Sequence, residues 1–384
     1  MLGRGTELYH PELTIIQKIF NLNWLLILLI SLVAGIGFAM LYSAAKGNWD
    51  PWASRQAMRF GLGIGLMLIV ALIDIRVWMR YAYVFYGFAL VLLVAVEVKG
   101  HIGMGAQRWI DLKLFLLQPS EVMKIALVIA LARYFHKRSL EDIAHPTQLI
   151  MPIIMVILPV LLIVRQPDLG TAIMLIIGSG VIFFLAGVRI WKFVVVMILG
   201  LGSIPLAWAF MLRDYQKQRV LTFLDPERDP LGAGYHVLQS KIAMGSGGVF
   251  GKGFIQGTQS KLNFLPEKQT DFIFTMLAEE WGLVGGLTLM ALYAFLMLYG
   301  LVITLRSRNQ FGRLMGMGVT TTFSLYVFIN IAMVMGIIPV VGVPLPLVSY
   351  GGTAMLTVLV GFGLLMNVYV HRDVRIGRML IDPE

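Results

Sequence analysis

The chain has 384 residues, of which 58% are hydrophobic and only 14% charged, and its formal net charge is +10. Soluble globular domains contain about 25% charged residues, so this composition excludes an ordinary soluble protein and predicts an integral membrane protein. The basic residues are spread over short connections, which argues against nucleic-acid binding, and the lack of cysteine excludes disulfides and thiolate metal sites.

The apolar runs are long enough to cross a hydrocarbon core of about 30 Å. They predict ten membrane-spanning helices near residues 24–43, 57–75, 81–98, 119–136, 147–165, 169–187, 190–211, 272–304, 314–338 and 351–370. The predicted fold class is therefore all-α, a polytopic membrane protein in which residues 1–384 form one membrane domain. The first run is too long for a signal-peptide core, so we predict an uncleaved helix.

The distribution of basic residues predicts the orientation. Ten spans put both termini on one side, and the segments on that side carry roughly twice as many Lys and Arg residues as the short loops opposite. Loops rich in Lys and Arg stay in the cytoplasm. We therefore predict cytoplasmic termini and one large extracytoplasmic loop, about residues 212–270, between the seventh and eighth helices.

Ionisable side chains inside a span are costly and are functional candidates. Glu121 and Lys124 are three residues apart in the fourth helix and share a helix face, so they can pair. A structural salt bridge and a functional pair both fit this spacing. Glu279 and Glu280, in the eighth helix, point roughly 100° apart and cannot face the same partner.

Asp271 immediately precedes the apolar run of the eighth helix, with Lys268 three residues earlier. A carboxylate at a helix start complements the helix dipole. The same carboxylate, under a polar loop, is also placed to abstract a proton at the membrane surface. The spacing alone leaves both interpretations open.

The segment Gly245–Gly253 resembles a phosphate-binding loop only faintly. Ser246 stands where the first glycine of that motif is required, and Gly253 replaces its Ser or Thr. We interpret the segment as a flexible glycine loop. No His, Asp and Glu cluster has a recognisable metal spacing, so the sequence displays no ligand set for a divalent cation such as Mg²⁺ or Mn²⁺.

Five short motifs occur in a fixed order along the chain. They are Arg108-Trp109-Ile110-Asp111; Gln118-Pro119-Ser120-Glu121 followed by Lys124; Gln166-Pro167-Asp168-Leu169-Gly170-Thr171; Phe264–Phe272; and Gly342–Pro346 followed by Ser349-Tyr350-Gly351-Gly352. The ordered set resembles the SEDS family, which includes RodA and FtsW, over essentially the whole chain. Residues 263–268 and the short tails are more similar to the RodA branch, which elongates the wall, than to the FtsW branch, which acts in division.

This resemblance implies an enzyme: a glycosyltransferase that polymerises lipid II, the undecaprenyl-diphosphate-linked disaccharide-pentapeptide, during cell-wall elongation and cell-shape maintenance. It implies that Asp271 is catalytic and that Glu121 and Lys124 support it. The other candidate substrate-binding residues are Arg108, Trp109, Gln118, Ser120, Asp168, Lys261, Lys268, Ser349 and Tyr350. Of these, Arg108, Lys261 and Lys268, with Lys124, are candidates to neutralise the leaving diphosphate, a role that a divalent cation could share.

The same resemblance implies a location and partners. The chain would lie in the bacterial cell membrane as a multi-pass protein, with its active site on the extracytoplasmic face. A class B penicillin-binding protein would supply crosslinking, and other elongation-complex proteins would join them.

Two other classes of function fit part of the sequence. A lipid-linked precursor flippase or transporter would also use charges inside the bilayer, although helices 1–5 and 6–10 show no inverted repeat. A non-catalytic scaffold of the elongation complex would leave Asp271 as a helix-start residue. If the chain is an enzyme, its site should open to the outer face only. If it is a transporter, one cavity should be accessible from both faces, and if it is a scaffold, Asp271 should be dispensable.

Overall fold

The computed structural model describes residues 14–103, 106–111, 113, 116–211, 214–225, 233–258, 267–374 and 376–377. Its helices are α1 (Ile15–Phe20), α2 (Trp24–Ala44), α3 (Trp52–Leu72), α4 (Ile75–Lys99), α5 (Pro119–His136), α6 (Leu140–Ala144), α7 (Thr147–Arg165), α8 (Leu169–Leu185), α9 (Ile190–Leu206), α10 (Asp214–Leu224), α11 (Ala233–Ser246), α12 (Ile273–Leu305), α13 (Gln310–Val334) and α14 (Gly352–Val370). Three short strands are β1 (His101–Gly103), β2 (Ala106–Asp111) and β3 (Leu116–Leu117), and a π-helical turn, Ala207–Met211, continues α9.

Long helices occupy all ten predicted positions. Within the described residues, eight of them are long and apolar enough to cross a membrane; α8 is shorter, and α5 carries too many charged residues to count among the eight. The fold class of a polytopic, mostly helical membrane protein is therefore confirmed. The second and third helices begin earlier than predicted, at Trp52 and Ile75. Arginines near both starts lower the local hydropathy, although a helix end at the membrane surface tolerates charge.

The centre of the bundle is α5, which is buried along nearly its whole length and packs on α4, α7, α8, α13 and α14. A helix that is buried on all sides belongs to the interior of a bundle. Beside it, α3 and α14 approach closely, because a Cβ on Gly363 would lie 2.8 Å from the carbonyl oxygen of Met67. Small residues at such crossings let helix backbones approach in membranes.

Two parts of the fold differ from the sequence prediction. The strands between α4 and α5 form a three-stranded antiparallel sheet, so the chain is not purely α-helical. The predicted loop 212–270 contains α10 and α11, and α11 packs on α12 and α13. The buried hydroxyl of Ser240 in α11 lies 2.7 Å from that of Thr275 and donates to the carbonyl of Val334 at 2.9 Å. These elements are short and partly polar, so a search for apolar spans could not find them.

Helix α12 has 33 residues, more than one bilayer crossing needs, and it is broken inside. At Gly282 the backbone has φ 66° and ψ −161°, which only glycine adopts readily. The break faces residues 247–253, here called the glycine clasp. The predicted eighth span is therefore two helical pieces joined at a fixed kink.

The glycine clasp supplies the hydrogen bonds that the broken helix lacks. The N–H groups of Leu283 and Val284 donate to clasp carbonyls at 3.0 and 3.1 Å. The carbonyls of Glu279 and Glu280 accept from clasp N–H groups at 3.1 and 3.0 Å. Because unsatisfied backbone groups are costly in a membrane, the clasp is a structural brace, and the interpretation as a flexible loop is wrong.

Replacing Gly282 with alanine should destabilise the fold by about 2–5 kcal/mol through backbone strain and overpacking. A Cβ there would lie 2.3 Å from the backbone nitrogen of Gly251. Thermal unfolding of the purified protein in detergent measures the effect. Gly180→Ala is the matched control, because a Cβ at Gly180 in α8 has open space around it. Equal melting temperatures for the two variants would contradict the bracing role.

Candidate active site

Asp271 lies in a tight turn just before α12. The Thr270 hydroxyl donates to the Glu267 carboxylate at 2.9 Å, and the Thr270 N–H donates to the Glu267 carbonyl at 3.1 Å. Phe272 occupies the N-cap position of α12 and makes no side-chain capping bond. Asp271 therefore stands one residue outside the helix, next to its positive end.

The connection between α13 and α14, residues 335–351, holds this turn in place and is here called the proline loop. The N–H of Tyr350 donates to the carbonyl of Gln269 at 2.8 Å, and the hydroxyl of Ser349 donates to the carbonyl of Thr270 at 2.6 Å. Ser349 is buried and Tyr350 half-buried. The proline loop is thus more than a connector, since it fixes the segment that carries Asp271.

One buried amide joins the proline loop to Asp271 itself. The Nδ2 atom of Asn330, in α13, donates to the carbonyls of Asp271 at 3.0 Å and Val343 at 2.7 Å. Gly342 has φ +71°, and a Cβ there would lie 3.4 Å from the Asp271 carboxylate. The proline loop therefore borders that carboxylate at a residue without a side chain. Asn330 was not predicted from the sequence, where its only signal was an amide in an apolar helix.

Helix α3 contributes a further pair, Gln56 and Arg59, that was not predicted from the sequence. The buried Gln56 side chain donates to the carbonyl of Ser349 at 2.8 Å. The guanidinium of Arg59 lies 4.8 Å from the ring centroid of Tyr350, and a Cβ at Gly352 would meet it at 3.3 Å. The Nη1 atom of Arg59 is buried, and among the residues that the structure describes it has no hydrogen-bond partner. In the sequence, Arg59 could have been found as an arginine within an apolar helix.

The predicted Glu121–Lys124 pair forms inside the bundle. Pro119 and Glu121 suit the first turn of α5, and the Lys124 ammonium donates to the Glu121 carboxylate at 2.7 Å, with both side chains buried. The Tyr326 hydroxyl accepts from Lys124 and donates to Glu121. The Lys124 nitrogen also lies 4.1 Å from the Tyr326 ring centroid. Tyr326, in α13, is the third member of this cluster and was not predicted.

The third motif forms its own network at the start of α8. Asp168 is the N-cap residue, accepting from the Thr171 N–H at 3.3 Å and from the Thr171 hydroxyl at 2.9 Å. Gln118 donates to the same carboxylate at 3.3 Å, which joins the second and third motifs. Arg108 donates to the carbonyls of Gln166 and Pro167. Its guanidinium therefore braces the turn before α8.

The remaining predicted residues have less defined surroundings. Ser120 is buried in the first turn of α5, and Trp109 is half-buried on β2 opposite His101. Burial lowers the pKa of Lys268, and the nearby Lys46 charge lowers it further. Lys261 lies outside the described residues.

The prediction that Glu279 and Glu280 have different partners is confirmed. The Glu279 carboxylate accepts from Lys252 at 2.8 Å and from Thr258 at 3.1 Å. The Glu280 carboxylate accepts from the Ser43 hydroxyl and from a backbone N–H in the segment after the clasp. Both carboxylates tie the clasp region to the bundle. Across the part of the chain that the structure describes, no three His, Asp or Glu side chains gather as metal ligands.

Comparison with known proteins places this arrangement in a family. The cell cycle protein family of FtsW, RodA and SpoVE matches residues 17–374. The chain belongs to this family. The peptidoglycan glycosyltransferase MrdB of Escherichia coli K12 is 46% identical over 348 residues, which cover 90% of this chain and 93% of MrdB.

Two solved structures share the fold. One chain of a peptidoglycan synthase complex, described as coordinating polymerization and crosslinking, is 32% identical with a TM-score of 0.80, covering 91% of this chain and 98% of that one. The rod shape determining protein RodA of Thermus thermophilus is 28% identical with a TM-score of 0.70, covering 92% and 98%. The resemblance to the SEDS family and to its RodA branch is confirmed.

Proposed function

We propose that this chain is a peptidoglycan glycosyltransferase that polymerises lipid II into β-1,4 glycan strands during cell-wall elongation. The observation that carries the proposal is how Asp271 is held. Asn330 binds its backbone carbonyl, and its carboxylate faces the proline loop. A general base must be fixed relative to its substrate. Long apolar helices beside it suit a lipid-linked substrate, and the activity of the relative MrdB supports the same reaction here.

In the proposed reaction, the Asp271 carboxylate takes the proton from the 4-hydroxyl of the acceptor N-acetylglucosamine. That oxygen bonds to the anomeric carbon of the donor N-acetylmuramic acid as the bond to the lipid diphosphate breaks. The diphosphate leaves with the electron pair, and the direct displacement inverts an α-linked donor to a β-linked product. No second carboxylate nucleophile is needed, in contrast to the retaining glycosidases.

The departing diphosphate needs positive charge. Arg108 bonds to backbone carbonyls, and Lys124 is held by Glu121 and Tyr326. Arg59 has a buried nitrogen to which no described residue makes a hydrogen bond, and it packs against Tyr350 of the proline loop. We therefore propose that Arg59 contacts a phosphate, for which a guanidinium is well suited. Lys268 and Lys261 stay candidates for the same role.

Arg59→Gln should lower kcat/KM for lipid II by about 10- to 100-fold, which is the effect expected when one hydrogen bond to a charged group is lost. Steady-state kinetics across lipid II concentrations measure this change. Arg55→Gln is the matched control, because Arg55 is one turn away in α3 and exposed. Equal kinetics for the two variants would remove Arg59 from this role.

The proposal includes a location and a partner. The excess of Lys and Arg residues on the side of the termini supports cytoplasmic termini, and we propose that Asp271 lies on the extracytoplasmic face of the bacterial cell membrane. Likeness to a chain of a peptidoglycan synthase complex supports a partner that crosslinks the new glycan, and we propose a class B penicillin-binding protein.

Purified protein incubated with lipid II, alone and with the penicillin-binding partner, tests this function. Glycan products are resolved by length, with and without added Mg²⁺, Mn²⁺ or a chelator. Polymer formation supports the enzyme. No polymer under any condition, together with lipid II crossing the bilayer of proteoliposomes, would support the flippase instead.

A further inference from the structure

Helix α13 links the buried charged pair to the segment that carries Asp271. Tyr326 and Asn330 are four residues apart, so their side chains share one face of α13, one turn apart. Both are almost completely buried. Tyr326 bonds to the pair in α5, and Asn330 bonds to the carbonyls of Asp271 and Val343. One helical turn therefore connects two clusters that the sequence presents as separate.

The hydrogen bonds that Asn330 donates hold the backbone next to the Asp271 carboxylate in place. The carbonyl of Asp271 lies outside α12, because the helix starts at Ile273 with Phe272 as its N-cap. Both N–H groups of the Asn330 amide are used, one on the turn before α12 and one on the proline loop. Loss of these bonds would let the Asp271 peptide rotate, and its side chain would turn with it.

The hydrogen bonds of the Tyr326 hydroxyl hold α13 against α5. The hydroxyl accepts a hydrogen bond from Lys124 and donates one to Glu121, so both members of the charged pair in α5 hold it. Hydrogen bonds to charged groups are stronger than those between neutral groups. Together with the packing of α13 on α5, α8, α12 and α14, they hold this turn of the helix in place and, with it, Asn330.

We infer that Tyr326 and Asn330 are positioning residues for the Asp271 carboxylate, acting through α13, and this inference rests on the proposed function. The Glu121–Lys124 pair then supports the reaction from a distance, by anchoring α13, without touching the sugar. A displacement of about 1 Å in a reacting group can cost about 100-fold in rate. The loss should fall on kcat, because neither residue contacts the substrate in this scheme.

Asn330→Asp tests the inference with a side chain of nearly the same shape that loses the amide donor. We expect kcat for polymerisation to fall at least about tenfold while KM for lipid II changes less than about twofold. Asn367→Asp is the matched control. Asn367 is also fully buried and donates to the Ala71 carbonyl at 3.0 Å, but at the opposite end of α14 from the proline loop. It should lower the melting temperature without changing kcat per folded molecule.

Hydrogen exchange gives a second measurement that does not depend on activity. Amides of residues 267–276 should exchange faster in Asn330→Asp and in Tyr326→Phe than in Asn367→Asp at equal fractions of folded protein. Tyr326→Phe also keeps the inference testable if Asn330→Asp fails to fold. Wild-type kcat in Asn330→Asp, or exchange at 267–276 unchanged in both α13 variants, would overturn it. If the wild-type protein makes no polymer but the exchange prediction holds, the proposed function is rejected and the positioning by α13 is not.

Discussion

Asp271→Asn is expected to lower polymerisation about 10²- to 10⁴-fold, the usual contribution of a general base, while the protein remains folded. The amide has nearly the same shape as the carboxylate but cannot accept a proton from the sugar hydroxyl. Backbone contacts hold the segment, among them the bond from Asn330 to the Asp271 carbonyl at 3.0 Å. They survive the substitution, so the loss should be chemical.

The measurement is glycan synthesis from lipid II by the purified variant, with its melting temperature compared with that of the wild type. Asp50→Asn is the matched control, because Asp50 is an exposed carboxylate in the connection between α2 and α3. It should retain wild-type activity. Polymer made by Asp271→Asn at near wild-type rate would favour the scaffold interpretation, in which this carboxylate is dispensable.

The helices were predictable from the sequence because a membrane helix satisfies its own backbone hydrogen bonds. Hydropathy alone therefore locates each span, without knowledge of its neighbours. Hydropathy misplaced the starts of α3 and α4, where arginines interrupt the apolar run. It could not detect the break at Gly282, because the partner of the break is a clasp about 30 residues earlier in the chain.

The candidate site was predictable only where its signal is local. Glu121 and Lys124 are three residues apart, so helical geometry pairs them directly. Their third partner, Tyr326, and the amide of Asn330 come from a helix far along the chain, and an uncharged side chain in an apolar run carries no distinctive pattern. Arg59 lay inside the predicted second span, 57–75, but a single arginine near the end of a membrane helix is an ordinary feature, so it was not singled out.

The second large effect is expected from Glu121→Ala, which removes one partner of the buried pair. Breaking such a pair costs about 3–5 kcal/mol, because the remaining charge stays buried without compensation. Lys124 would keep only the Tyr326 hydroxyl as a hydrogen-bond partner among the contacts described for it. The melting temperature in detergent should fall clearly, and polymer synthesis should fall with it. An unchanged melting temperature would contradict the pairing.

A double variant separates the structural and functional contributions of the pair. Replacing a buried ion pair by apolar residues of similar volume is often neutral or stabilising, so Glu121→Leu with Lys124→Met should recover most of the lost stability. If the pair serves only to fold the bundle, activity should return as well. We expect the double variant to be stable but slow, because Tyr326 loses both of the groups that hold its hydroxyl. With that anchor gone, α13 would no longer fix Asn330 against the backbone of Asp271, and the base would be present but misplaced.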